Sequence, residues 1–128
     1  MFEGIIAMAK ENLKNGIPVG LGTDTACPYV TQYDMWRELC YYAKFCGVSN
    51  AFALYSATLL NAELAGIGGE TGSIERGKRA EMIVVRKNPL EDLRALRTPE
   101  MVIMGERLIR TPRVKKIPEV EAELDKWL

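Results

Sequence analysis

The pattern of apolar and polar positions predicts that the first half of the chain is mainly helical. Apolar residues recur at the three- and four-residue spacing of amphipathic helices over residues 2–13, 32–45 and 50–64. The pair Asn15-Gly16 is a helix stop, and Ser49 is a good N-cap for the third helix. A short apolar run, residues 17–23, lies between the first two helices and predicts a strand buried on both faces.

Two of these helices have side chains that are expected to share a face. In the first helix they are Phe2, Ile5, Ile6, Ala9 and Leu13, and in the third helix they are Phe52, Tyr55, Leu59 and Ala62. The second helix carries few charges, which predicts that it is largely buried. Four aromatic residues on that helix could form a stacking platform, but core packing is favoured; they are Trp36, Tyr41, Tyr42 and Phe45.

The second half of the chain predicts turns and short strands. A cluster of glycines over residues 66–77 ends the helical half, and it misses the dinucleotide-binding GxGxxG pattern by one position. Residues 80–85 then predict a strand and residues 90–96 a helical turn. Residues 101–104 and 107–109 predict a β-hairpin joined by a two-residue turn.

The last segment, residues 114–128, predicts a C-terminal amphipathic helix. One face is apolar, and it comprises Ile117, Val120, Leu124 and Trp127. The opposite face, expected in solvent, comprises Glu119, Glu121, Glu123, Asp125 and Lys126. Such a helix either docks on its own domain, which is favoured, or binds a partner.

Composition narrows the class of protein. A chain of 128 residues with 48% apolar and 27% charged residues is one ordinary domain at most. Seventeen basic and seventeen acidic residues cancel, so neither a nucleic-acid nor a membrane partner is favoured. No membrane-length apolar run or basic leader is present, and Cys27, Cys40 and Cys46 form no CxxC pair. We therefore expect a cytoplasmic protein with reduced thiols.

Asp24 is the candidate catalytic residue, because it directly follows the predicted strand 17–23. Residues at the carboxyl end of a buried strand point into the ligand crevice of an α/β fold. Asp24 could equally cap the following turn, and the hydroxyls of Thr23 and Thr25 could orient it. Cys27 and Tyr29 on the same loop could line a substrate pocket or be ordinary lid packing. The chain contains no histidine.

Six sequence blocks occur in an order that resembles the C-terminal third of amidohydrolase-superfamily enzymes. The similarity is to the branch of imidazolonepropionase-like and Xaa-Pro-dipeptidase-like hydrolases, and it covers nearly the whole chain. The blocks are residues 16–24 (GIPVGLGTD), 57–62 (ATLLNA), 72–78 (GSIERGK), 80–85 (AEMIVV), 88–92 (NPLED) and 102–105 (VIMG).

The resemblance implies an α/β fold in two parts. Residues 1–66 look like the last helix-strand-helix segments of a (β/α)8 metallohydrolase barrel, with residues 17–23 as its eighth strand. Residues 67–113 look like the returning strands of a small composite β-sandwich domain, and residues 114–128 are the C-terminal helix. Glu81 and Arg86-Lys87 replace an acid and a turn pair of the family pattern, which affects only surface and turn.

The resemblance also implies the chemistry. Family members hold one or two divalent cations, commonly zinc, and hydrolyse carbon–nitrogen bonds of small amides, cyclic amides or dipeptides. Asp24 matches the carboxylate that binds the metal and shuttles the proton. The family's histidines follow strands that this chain lacks, and one carboxylate cannot hold a catalytic zinc. We therefore expect an inactive piece of a peptidase-like hydrolase, with no metal bound by this chain alone.

A second hypothesis is that the chain has no catalytic function. Surfaces that would face the missing barrel strands are expected to be apolar, so the chain could be a structural or interaction module. It would then form an oligomer with itself or pair with the missing N-terminal part.

Overall fold

The computed structural model describes residues 2–128, and it consists of helices followed by a small sheet. Met1 and the side chain of Phe2, which the sequence assigns to the first helix face, lie outside the described part. The elements in chain order are α1 (Phe2–Lys14), α2 (Met35–Cys46), α3 (Asn50–Tyr55), a π-helical turn (Ser56–Leu60), α4 (Asn61–Leu64), β1 (Glu81–Val84), a 3₁₀ helix (Leu93–Arg97), β2 (Met101–Met104), β3 (Arg107–Arg110) and α5 (Pro118–Asp125).

The helix boundaries follow the stop and cap signals of the sequence. After α1 the chain turns at Gly16, which has a φ of +70°, and after α2 it turns at Gly47, which has a φ of +75°. The Ser49 hydroxyl accepts a hydrogen bond from the Phe52 backbone N–H at 3.1 Å. All three predicted helices are confirmed, and α3, the π-helical turn and α4 follow one another from residue 50 to residue 64.

The predicted apolar face of the third helix is buried only in part, because Ala62 is buried and Leu59 half-buried while the two aromatic residues are exposed. Phe52 and Tyr55 are 36% and 40% exposed, whereas Ala53, Ser56 and Leu60 are buried. Small side chains at Ala53 and Ser56 let the helix backbone pack closely against α2, and the larger rings are left at the rim. The core formed there contains Leu39, Tyr42, Ala53 and Leu93.

The strand predicted over residues 17–23 is also wrong in this structure. The segment belongs to no sheet, because none of the described strands lies beside it to complete a hydrogen-bond ladder. A side chain supplies part of the missing pairing: Asn61 accepts a hydrogen bond from the Leu21 N–H at 2.9 Å and donates one to its carbonyl at 2.8 Å. The expected parallel pairing is therefore absent from the described residues.

The sheet that does form is antiparallel, in the order β1-β2-β3. Glu81 lies opposite Met104, and Met101 lies opposite Arg110. The predicted strand 80–85 and the hairpin are confirmed, and Gly105 in the hairpin turn has a φ of +61°.

The C-terminal helix buries one residue of its acidic face, contrary to expectation, whereas Glu119, Asp125 and Lys126 on that face are exposed as expected. Helix α5 is shorter than the predicted 114–128, Glu121 is buried, and Ile117 and Trp127 are about half exposed. Burial alone would raise the pKa of Glu121, but the hydrogen bond and charge of Arg37 outweigh it and lower the pKa. The reason for the docking is thus a buried cation on α2. Within residues 2–128, no helix is long and apolar enough to cross a membrane.

Candidate functional site

Asp24 is exposed at the end of the segment 17–23, where it begins a loop that runs to Thr31. We call residues 24–31 the Asp24 loop. Val19 and Leu21 are half-buried on the core, while the loop projects beyond it. The carboxylate is therefore accessible at the carboxyl end of the apolar segment 17–23.

The Asp24 loop has an unusual backbone. Asp24, Ala26 and Tyr29 have φ values of +51°, +99° and +65°. Left-handed conformations cost non-glycine residues roughly 1–2 kcal/mol each. Two backbone hydrogen bonds span the loop: Cys27 N–H donates to the Asp24 carbonyl at 3.4 Å, and Val30 N–H donates to the Cys27 carbonyl at 3.0 Å. Its shape therefore depends on what holds its two ends.

The Asp24 carboxylate is in contact with a thiol. Cys27 Sγ donates to Asp24 Oδ2 at 3.6 Å, and the negative charge of Asp24, then this hydrogen bond, raises the pKa of Cys27. Thr23 and Thr25 lie beside Asp24, but their hydroxyls bond each other at 2.7 Å. Of the two predicted pocket residues, Cys27 contacts the Asp24 carboxylate and Tyr29 does not share that contact.

Tyr29 lines an apolar cleft between α1, the segment 17–23 and α2. The cleft has a volume of about 380 Å³, and its lining includes Ile6, Val19, Leu21, Tyr29, Tyr42 and Phe45. Thr23 lines it too and connects it to Asp24 along the backbone. Tyr42 belongs to the core, whereas Tyr41 and Phe45 pack ring against ring with centroids 6.0 Å apart.

The donor groups of the described residues do not fit a complete zinc site. Structural and catalytic zinc take at least three protein ligands, and no three His, Cys, Asp or Glu side chains of residues 2–128 are grouped to hold a metal. Asp24 can supply one carboxylate ligand at most.

Two groups of residues behind the loop were not singled out by sequence reasoning. Asn61 fixes the segment before Asp24, and Thr31, Asp34 and Arg37 form a buried polar group after it. The sequence signal that could have identified these residues is an amide or cationic side chain among the apolar residues of a predicted helix. Such residues need partners when buried, but their identity depends on the tertiary fold.

Comparison with known proteins gives a consistent set of relatives. A family model described as the Amidohydrolase family matches residues 3–108. Ochratoxinase from Aspergillus niger is 32% identical over 108 residues, which are 80% of this chain and 21% of that protein. The chain spans about a fifth of that curated relative.

Two solved structures are similar in both sequence and fold. A candidate prolidase from Bifidobacterium longum is 40% identical, with a TM-score of 0.91 over 94% of this chain and 30% of that one. A Xaa-Pro dipeptidase with methionine bound in its active site is 31% identical, with a TM-score of 0.75 over 83% of this chain and 25% of that one.

Proposed function

We propose, from the premise that this chain belongs to the amidohydrolase family, that it is the C-terminal part of a metal-dependent hydrolase of carbon–nitrogen bonds. Its one contribution to the reaction centre is Asp24. The observation that carries the proposal is the exposed carboxylate at the carboxyl end of the apolar segment 17–23. That end is where α/β barrels place their catalytic residues.

The proposed role of Asp24 is proton transfer. As water attacks the carbonyl carbon, Asp24 accepts a proton from it; the carbon–oxygen bond forms, and the carbon–nitrogen bond then breaks. Asp24 returns the proton to the leaving nitrogen, so the residue ends in its starting state. A carboxylate open to solvent on a loop can reach both the water and the nitrogen.

We propose a dipeptide as the substrate, with a proline on the nitrogen side of the bond. The support is the 40% and 31% identity to structures named as a candidate prolidase and a Xaa-Pro dipeptidase. Small cyclic amides and other amides remain within the same reaction class. The apolar cleft lined by Tyr29 and Leu21 would suit an apolar side chain of such a substrate.

The metal of the complete enzyme is proposed to be zinc, with Asp24 as one ligand and the others outside these 128 residues. The chain alone is then inactive. In the same proposal, residues 1–66 end a (β/α)8 barrel and residues 67–113 belong to a β-sandwich. Free thiols at Cys27, Cys40 and Cys46 fit a reducing, cytoplasmic location.

The test is the substitution Asp24→Asn in the complete enzyme. We expect the kcat for proline release from Xaa-Pro dipeptides to fall by roughly 10²–10⁴-fold, which is the contribution of a positioned acid–base group. Bound zinc, measured by elemental analysis, should fall as well. The circular dichroism spectrum should not change, because Asp24 is exposed.

The matched control is Glu106→Gln, which makes the same chemical change at an exposed residue of the hairpin turn. It should leave kcat and zinc content at the wild-type values. Retained turnover in Asp24→Asn would exclude the proposed role.

A further inference from the structure

A buried arginine on α2 joins that helix to the C-terminal helix α5. The Arg37 side chain is 1% exposed, and its Nη1 is 2.6 Å from Asp125 Oδ1, with hydrogen-bond geometry. Its Nη2 is 3.2 Å from Glu121 Oε2, and its Nε is 3.3 Å from Asp34 Oδ1. Arg97 adds contacts of 3.0 Å to Glu121 and Asp125. We call these five residues the Arg37 cluster.

The Arg37 cluster extends to the Asp24 loop through one hydroxyl. Thr31, the last residue of the loop, donates from Oγ1 to Asp34 Oδ2 at 2.6 Å, and both side chains are buried. The Asp34 N–H also donates to the Thr31 carbonyl at 3.2 Å. A continuous series of polar contacts therefore runs from α5 through Arg37 and Asp34 to the end of the loop.

The opposite end of the loop is held separately. Asn61 bonds both backbone groups of Leu21, three residues before Asp24. Between these anchors, the left-handed residues persist only if both ends are fixed, because relaxation would release their strain.

We infer that Thr31, Asp34 and Arg37, secured by the C-terminal helix, are positioning residues that hold the Asp24 loop in its left-handed conformation. The inference deepens the proposed function, since its catalytic consequence depends on the role of Asp24. Its structural part stands on the contacts alone. The Thr31 hydroxyl makes a buried hydrogen bond to the Asp34 carboxylate, and the charge of Arg37 holds that carboxylate by an ion pair at 3.3 Å.

The test compares Thr31→Val with Thr31→Ser in the 128-residue chain. Valine keeps the shape and removes the hydroxyl, whereas serine keeps the hydroxyl and removes a methyl group. Hydrogen exchange at the amides of Cys27 and Val30 should become roughly tenfold faster in Thr31→Val, from the loss of a bond to a charged group. Thr31→Ser should exchange like the wild type. A packing role would give the reverse order and would overturn the inference.

Two further variants test the contacts of this series that lie near the C-terminus, at residues 125 and 126. Asp125→Asn, which weakens the hold on Arg37, should also speed exchange in the loop. Lys126→Ala removes only a surface pair with Glu123, which lies 2.5 Å away, and should change nothing. Unchanged loop exchange in both Thr31→Val and Asp125→Asn would refute the positioning role, whatever the activity.

In the complete enzyme, Thr31→Val should lower kcat for Xaa-Pro dipeptides by about tenfold or more, while Thr31→Ser retains it. Faster loop exchange with unchanged kcat would overturn the link between loop and catalysis. The outcome of Asp24→Asn is independent of this, so a failure of the inference is distinguished from a failure of the proposed function.

Discussion

Asp24 and Cys27 are in contact, and the charge of Asp24 raises the pKa of the Cys27 thiol. The thiol is exposed, yet the nearby negative charge raises its pKa, so less of it is thiolate than in an ordinary exposed cysteine. The reactivity of Cys27 is therefore a measure of where the Asp24 carboxylate lies, and it needs no substrate.

We expect Asp24→Asn to speed the alkylation of Cys27 by iodoacetamide at pH 8. The substitution removes the negative charge, the pKa of the thiol falls, and the thiolate fraction at that pH rises. Mass spectrometry of the peptide containing Cys27 measures the rate. Cys40 is the internal control, because burial, the main cause, raises its pKa to about 11 and Asp24 does not contribute. An unchanged rate at Cys27 would mean that the thiol does not lie beside Asp24.

At the scale of elements, the segment 17–23 depends on α4 for part of its backbone hydrogen bonding. Gly20 permits the approach of the helix, since a Cβ there would lie 2.6 Å from Asn61 Oδ1. The side-chain amide of Asn61 offers a donor and an acceptor together, as a neighbouring strand residue would. One residue of a helix thus pairs with the backbone of an apolar segment that belongs to no sheet.

Asn61→Ala should lower the free energy of unfolding by about 1–3 kcal/mol, because the partly buried N–H and C=O of Leu21 lose their partners. Urea unfolding followed by circular dichroism measures this. The control, Asn50→Ala, removes one exposed bond to the Leu90 carbonyl and should cost no more than about 0.5 kcal/mol. Equal losses of unfolding free energy in the two variants would show that the hydrogen bonds between Asn61 and Leu21 stabilise the fold no more than an exposed hydrogen bond does.

The sequence predicts the elements whose signals are local. Gly16, Ser49 and the hairpin turn at Gly105 act on neighbouring residues, so their spacing alone is informative. Features that require distant partners were mispredicted: the strand 17–23 needs adjacent strands, and Glu121 on the predicted solvent face of α5 is buried against Arg37, which lies 84 residues away in sequence. The exposed position of Asp24 follows from a local pattern, whereas its support by Asn61 and Thr31 does not.

For the whole molecule, the main property is the apolar surface left open. Ile5 and Met8 on α1 are 56% and 61% exposed, and Ile74 beyond the helices is 85% exposed. Ile5 and Met8 are three residues apart and lie on one helix face. This observation favours the second candidate function, a module that associates with itself or with the N-terminal part that the proposed function requires.

We expect the molar mass of the 128-residue chain, measured by multi-angle light scattering, to rise with concentration. Ile5→Glu combined with Met8→Glu should shift it towards the monomer, since charges oppose apolar association. Lys10→Glu alters charge on the same helix without removing apolar surface and should have little effect. A monomer at every concentration would count against self-association.

The Arg37 cluster also bears on the order in which the molecule is completed during synthesis. Arg37 and Asp125 are 88 residues apart, so the arginine leaves the ribosome with Asp34 as a carboxylate partner but long before Glu121 and Asp125 exist. The full set of counter-charges that accompanies its burial is therefore complete only when these two residues emerge. The Asp24 loop would then gain its final shape only after the segment that forms α5 has been made.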